Sequence, residues 1–243
     1  MPIFIHMPKL QLYIWLLLLQ PALAGAQLPS AGDFIESSRQ YAVASSPQYR
    51  SSNARLFSGV QEVNYSSSYI GNPYFLTNKF VPSRLWYRQQ FYDSIPILYD
   101  MIKDQVVMQS AQGIRILVQK EYLSSFEFQG HHFKRHDGTD GVGAGFYDHL
   151  FEGNKSSVWV YRSSTVLERV TDRVERRIVD NQRYYFVYPG GPVQSFSNYR
   201  SFLRCFGDQA GTIRRYLRSR QLNFKTDRDA VVTAAVAYNE TLQ

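Results

Sequence analysis

One cysteine, Cys205, is all the chain contains. No internal disulfide can form, and no cysteine follows the N-terminal apolar run to receive a lipid. A lone thiol of this kind behaves as a small hydrophobe, so Cys205 is expected in the core, with pairing to a second chain as the alternative. Nucleophile signatures are also lacking: there is no Gly-x-Ser-x-Gly, and Cys205 has no histidine near it in sequence. No repeat of fixed period appears, which argues against a solenoid or propeller. Long apolar runs are missing as well. The longest, residues 10–19, is about half of the roughly 20 residues needed to span a bilayer.

That short run points to export instead. Lys9 precedes it, Pro21 breaks it and Ala24-Gly25-Ala26 follows, the basic, apolar, small order of a secretory signal peptide. Cleavage after Ala26 leaves a chain that is not transmembrane and is destined for the periplasm or cell surface. The balance is 27 Lys+Arg against 20 Asp+Glu, and processing removes only Lys9, so the mature chain stays basic. A basic surface favours acidic partners, and it also simply keeps a protein soluble. Export separates the chain from most nucleic acid, which is not expected as a partner.

After the signal peptide, residues 27–53 form a serine-rich polar leader, with a short helix expected over 33–44. Residues 54–190 are written in strand vocabulary. The segments 84–88 and 91–99 flank Gln89-Gln90, which suggests a tight hairpin, and Pro96 makes the second strand an edge or a bulged strand. Shorter apolar runs follow at 105–108, 114–119 and 124–128, punctuated by Gln112-Gly113 and Gln129-Gly130. Turn signals about ten residues apart indicate an antiparallel meander. Over 165–179 the apolar residues Val166, Val170, Val174 and Ile178 are spaced by four, which fits one face of a strand or of a helix. β-branching and the aromatic run 183–188 favour a strand, turned at Asp180-Asn181-Gln182. Residues 191–243 then become helical: Ser197 caps one helix, Gly207 stops it, Asp208 caps the next, and 226–229 cap a third. With 18 Tyr and 16 Phe a membrane barrel must be weighed, but a barrel normally consumes the whole chain, and this one ends in helices. The expected fold is α+β and mainly β: a curved antiparallel meander sheet with a C-terminal helical segment packed on it.

Four of the five histidines lie in 131–149. On a strand His132 and His136 share a face, and with Asp137 they are the candidate metal ligands. Lys134 shares that face, and polar turn-flanking histidines are the plainer account. Gly141-Val142-Gly143-Ala144-Gly145 lacks both the Lys-Ser/Thr of a P-loop and the strand–helix setting of a dinucleotide turn, so it is a loop. Asp100 and Asp104 mark a turn between strands, and neither they, Glu121 nor Glu127 forms a recognisable catalytic pair. Arg200, Arg204, Arg214, Arg215 and Arg218 fall on two successive helices and make a candidate surface for an anionic partner. No cofactor is expected.

Several segments resemble a loosely defined group of exported, β-rich bacterial envelope proteins with no assigned activity. They are Gly59-Val60-Gln61-Glu62-Val63-Asn64-Tyr65, Gly71-Asn72-Pro73-Tyr74-Phe75, Phe128-Gln129-Gly130-His131-His132-Phe133, Gly145-Phe146-Tyr147 and Phe202-Leu203-Arg204-Cys205-Phe206-Gly207-Asp208. The resemblance implies an envelope protein and transfers no catalytic residue. The meander is also similar in outline to periplasmic lipoprotein carriers, which would make Trp86 and Tyr99 candidate ligand contacts. The leading expectation is non-catalytic binding of a lipid or other hydrophobic ligand, an anionic ligand, or another envelope protein. The alternatives are a metal-assisted hydrolase using His132, His136 and Asp137, and a structural subunit of a surface assembly.

Overall fold

A computed structural model describes residues 56, 59–139, 141–170 and 174–242. The expected signal peptide and polar leader, with the helix expected over 33–44, lie outside the described residues. The described chain is mostly β, as expected: eleven strands form one curved, unclosed sheet on which the C-terminal helices pack.

The first meander comprises β2 (Val81–Tyr87), β3 (Gln90–Asp100), β4 (Gln105–Gln109) and β5 (Arg115–Leu117). The second comprises β6 (Leu123–Phe128), β7 (His131–His136), β8 (Gly145–Glu152), β9 (Ser157–Val170) and β10 (Val174–Val187). Pairing of β2 with β6 joins them. Two short strands complete the sheet beside β10: β1 (Tyr69–Ile70), which is parallel to it, and β11 (Gln194–Phe196), which is antiparallel.

The β2–β3 hairpin turns at Arg88-Gln89, one residue before the expected position. Both residues have positive φ, 49° and 62°, the geometry that matches strand twist in a two-residue hairpin. Strand β3 is interior, and its register against β2 slips between Ser83 and Leu85, so Pro96 sits beside a bulge and not on an edge. Residues 166–178 are strand. The expected turn at Asp180-Asn181-Gln182 requires correction, because all three residues lie inside β10, paired with Ser164, Ser163 and Arg162 of β9. Asp180 and Asn181 have partners on the neighbouring strand, the Ser164 hydroxyl at 2.7 Å and the Thr165 hydroxyl at 3.1 Å, and that removes the need for a turn.

In the C-terminal segment, α1 (Tyr199–Arg204) is capped by Asn198, in a reciprocal box with Ser201, and not by Ser197. Gly207, at φ 52°, ends that stretch. Next come α2 (Ala210–Ser219) and α3 (Arg228–Thr241). Among the described residues no helix is long and apolar enough to cross a membrane.

Cross-strand partners share a face, and one row of them runs over eight strands: Tyr92, Leu85, Phe126, Phe133, Asp148, Val160, Tyr184 and Phe196. At one end of this row lies an aromatic cluster including Tyr87, Tyr99, Phe126, Phe133 and Phe146. At the other, Val158, Val160, Tyr184 and Phe186 meet the helices through Phe202, Leu217, Val232 and Val236. Cys205 belongs to this second cluster, and burial pushes its thiol up to about 11. Gly145 is required where β8 begins, since a Cβ there would stand 2.9 Å from both the Asp104 carboxylate and the Tyr161 ring.

Phe126 stacks on Phe133 with centroids 4.8 Å apart and an interplanar angle of 10°. Phe126→Ala should lower stability by about 3–5 kcal/mol in urea unfolding followed by circular dichroism, as large cavities in aromatic cores do.

Candidate functional site

Asp148 is the one charge in the apolar row, and it is 1% exposed. Burial alone would raise its pKa. The His131 bond and Arg162 outweigh that and hold the carboxyl below its usual range. Arg162, on β9, donates to Asp148 Oδ2 from Nε at 2.8 Å and from Nη2 at 2.6 Å. Its Nη2 also reaches Asp229 of α3 at 2.7 Å, and Tyr184 donates to the other Asp229 oxygen at 2.6 Å. His131 Nδ1 lies 2.8 Å from Asp148 Oδ2. Burial disfavours the Arg162 charge, yet the two aspartates raise its pKa, so it stays cationic. This chain of charges separates the two apolar clusters.

Beside it is a hollow of about 370 Å³ between the 71–76 segment and β10. Arg162, Asp180 and Gln182, with Asn72 and Asn181, form its polar side, and Phe75, Leu76, Met101 and Ile178 its apolar side. A more open groove of about 610 Å³ adjoins it through Asp180 and Gln182 and runs to Arg228 and Asp229.

The opposite face of the sheet carries His132, His136 and His149. His132 and His136 do share a face, as expected from their spacing, but Asp137 is directed to Arg135, at 2.7 Å. The neighbour of His136 is His149 of β8, with Nε2 to Nε2 at 3.0 Å, and both rings pack on Trp159. His149 Nδ1 lies 2.8 Å from Glu152 Oε1, to which Lys134 also donates. Desolvation lowers His149 to about 4, with Lys134 adding to the effect, so it is neutral at pH 7. A carboxylate only accepts, so the His149 proton sits on Nδ1, its Nε2 is an acceptor, and His136 donates from Nε2. The Trp159 indole N–H is buried with no partner among the described residues. Among those residues no group of three or more His, Cys, Asp or Glu is placed to hold a metal ion.

Trp86 and Tyr99 point to opposite faces. Trp86 packs on Phe91 and His132, half-buried on the histidine face. Tyr99 is 0% exposed inside the aromatic cluster, and its hydroxyl donates to Asp104 at 2.6 Å. Tyr99 is therefore core packing, and the two residues line no common chamber. Asp100 accepts from the backbone of Ile102 and Lys103, and Asp104 from Phe146, so both shape the β3–β4 turn and its contact with β8. Arg200, Arg204, Arg214, Arg215 and Arg218 are all exposed on α1 and α2, on the side away from the core.

Compared with family models, curated proteins and solved structures, the chain matches none.

Folded His149 titrates near 4, against 6.5 for an ordinary histidine. Between those values the unfolded chain takes up a proton that the folded one refuses, so stability falls as pH drops from 6.5 to 4 and this contribution is level outside that window. The expected loss is about 3 kcal/mol. His149→Gln should flatten that part of the profile in thermal unfolding measured across pH 4–7.

Proposed function

We propose that the protein is a non-catalytic binding protein of the cell envelope that attaches to a phosphate-bearing membrane surface through the outer side of its helical layer. The observation that carries this reading is an uneven pairing of charge. On and beside the sheet, Arg84, Arg115, Lys120, Lys134, Arg135, Arg162, Arg176 and Arg177 have carboxylate partners within 4 Å, and of the described strand arginines only Arg169 and Arg183 have none. Arg200, Arg204, Arg214, Arg215, Arg218 and Arg220 have no ion pair among the described residues.

Helical geometry explains why these charges face outward together. In α2, Ile213 and Leu217 are buried, and Arg214, Arg215 and Arg218 occupy the opposite sector. In α1, Phe202 and Leu203 are buried while Arg200 and Arg204 are exposed. All six basic residues between 200 and 220 are arginine and none is lysine. A planar guanidinium matches a phosphate with two parallel hydrogen bonds, which an ammonium does not. Each basic residue near an anionic membrane contributes about 1 kcal/mol, so the set is sufficient for salt-sensitive attachment. The export expected from residues 1–26 would bring such a surface to envelope lipids.

A hydrophobic ligand at Tyr99 finds no support, because that region is filled by its own side chains. Metal-assisted hydrolysis finds none either, because Asp137 is engaged by Arg135, Glu152 is engaged by His149 and Lys134, and no group of three or more ligands among the described residues is placed to hold a metal ion.

Sedimentation with vesicles tests the reading. Binding is expected to phosphatidylcholine vesicles carrying 30% phosphatidylglycerol, to weaken steeply with salt, and to be absent on phosphatidylcholine alone. Arg214→Glu with Arg218→Glu should weaken it roughly tenfold or more, while Arg84→Glu on the sheet should not. Equal binding to both vesicle types, or full binding by the double variant, overturns the proposal. Capture by polyglutamate in preference to the vesicles would indicate an acidic protein partner instead.

A further inference from the structure

The arginine-bearing helices do not account for the hollow on the covered side of the sheet, and its construction suggests a ligand site of a different kind. The 71–76 segment that roofs it is fixed at both ends. At one end β1 pairs with β10 at Arg176 and Arg177, and Gly71 lies directly on Ile178, where a Cβ would stand 3.1 Å from the isoleucine Cβ. At the other end Phe75 N–H donates to the Tyr99 carbonyl at 2.9 Å, and Met101 N–H donates to the Pro73 carbonyl at 2.9 Å. The turn after β3 is tied in turn to β9, through Ser164 N–H and the Met101 carbonyl at 2.9 Å. Roof and floor are therefore held in place without a ligand, which reduces the ordering cost of binding.

Three polar groups converge on this space with bonding capacity left over. Arg162 is 3% exposed. Its Nε and Nη2 are taken by Asp148 and Asp229, while Nη1 has no partner among the described residues. Asp180 accepts from Ser164 through Oδ1, leaving Oδ2 without a partner among the described residues. Tyr184 gives its one hydroxyl proton to Asp229, so the Gln182 amide, 2.8 Å from that hydroxyl, donates one N–H to it and keeps its second N–H without a partner among the described residues. The result is a donor, an acceptor and a donor along one wall, facing the apolar wall of Phe75, Leu76, Met101 and Ile178.

Charge selects among the ligand classes this could serve. An anion would meet the Asp180 carboxylate. An ammonium group bound at Asp180 within the hollow would share that space with the Arg162 guanidinium, whose center lies 5.3 Å from the Phe75 ring. A hydroxyl both donates and accepts, so neighbouring hydroxyls on a neutral molecule satisfy all three groups at once. The apolar wall suits the C–H face of a sugar ring. At about 370 Å³ the volume falls in the usual range for small-molecule sites. We propose that the hollow between residues 71–76 and β10 binds a neutral, hydroxyl-rich ligand, a saccharide unit, with Asp180, Gln182 and Arg162 making the polar contacts.

The test is saturation-transfer NMR with calorimetric titration of the soluble protein against glucose, galactose, N-acetylglucosamine, maltose and cellobiose, with putrescine and citrate as charged controls. At least one saccharide should bind, with transfer to its ring C–H protons. Asp180→Asn keeps the Ser164 bond and removes the charge, and Gln182→Leu changes a side chain exposed at the rim. Each should weaken binding by roughly tenfold, the scale of one hydrogen bond in such a site, with the melting temperature unchanged. The Arg214→Glu and Arg218→Glu double variant should bind the saccharide normally, which separates this site from membrane attachment. Absence of binding by all five sugars, preference for putrescine or citrate, or undiminished binding by both the Asp180 and Gln182 variants overturns the proposal.

Discussion

Arg162 bonds Asp148 on the neighbouring strand and Asp229 on the last helix, and almost no solvent reaches it. A charge withdrawn from water in this way is tolerated only with several well-placed partners, and loss of one partner from such a set costs about 3–5 kcal/mol. The rest of the architecture is arranged around that requirement. Asp148 has to interrupt an apolar row, His131 has to turn inward to share it, and α3 has to present its first turn over β9 and β10. Apolar packing by Val231, Val232, Ala235 and Val236 holds α3 against the sheet, but such contacts tolerate sliding along the helix axis. The Asp229 bonds to Arg162 and Tyr184 fix which turn lies over which strand.

Local periodicity made much of the sheet legible. Strands β2 to β6, the strand character of 166–178 and the three C-terminal helices follow from alternation and turn residues, although neither Ser197 nor Asp208 caps a helix as expected: Asn198 caps α1, and Asp208 lies in a short 3-10 turn ahead of α2. Failures occurred where long-range contacts override local signals. Asp180-Asn181-Gln182 looks like a turn because these residues favour turns in isolation. In the folded chain the same polar atoms are needed on a strand facing Arg162 and Ser164. The parallel pairing of β1 with β10 and the junction of β2 with β6 join residues far apart in the chain, and no local pattern announces them.

The candidate sites show the same division. Spacing alone placed His132 and His136 on one face, because a strand's period of two is a local property. It could not supply His149 from the next strand or direct Asp137 toward Arg135. The Arg162 center was missed, although one signal was available. Along Val158, Val160, Arg162 and Ser164 every second residue points inward, and an arginine in that series demands a buried acid. The Asp148 position makes the same demand between Phe146 and Leu150. The arginines of α1 and α2 were legible because amphipathic helices display their polar sector directly.

The belt of charge between the two apolar clusters also bears on how the molecule comes apart. On the covered face the aromatic side chains of β2 to β8 pack mainly among themselves and those of β9 to β11 with the helices, with polar atoms at the divide, while on the other face Tyr147, Trp159, Tyr161 and Tyr185 bridge it. Cooperative opening follows such divides, since each apolar cluster loses its burial as a unit. Amide hydrogen exchange would therefore sort the backbone into two protection classes, with β8 and β9 as the border. Arg162 is the link through which opening of one class would be felt by the other.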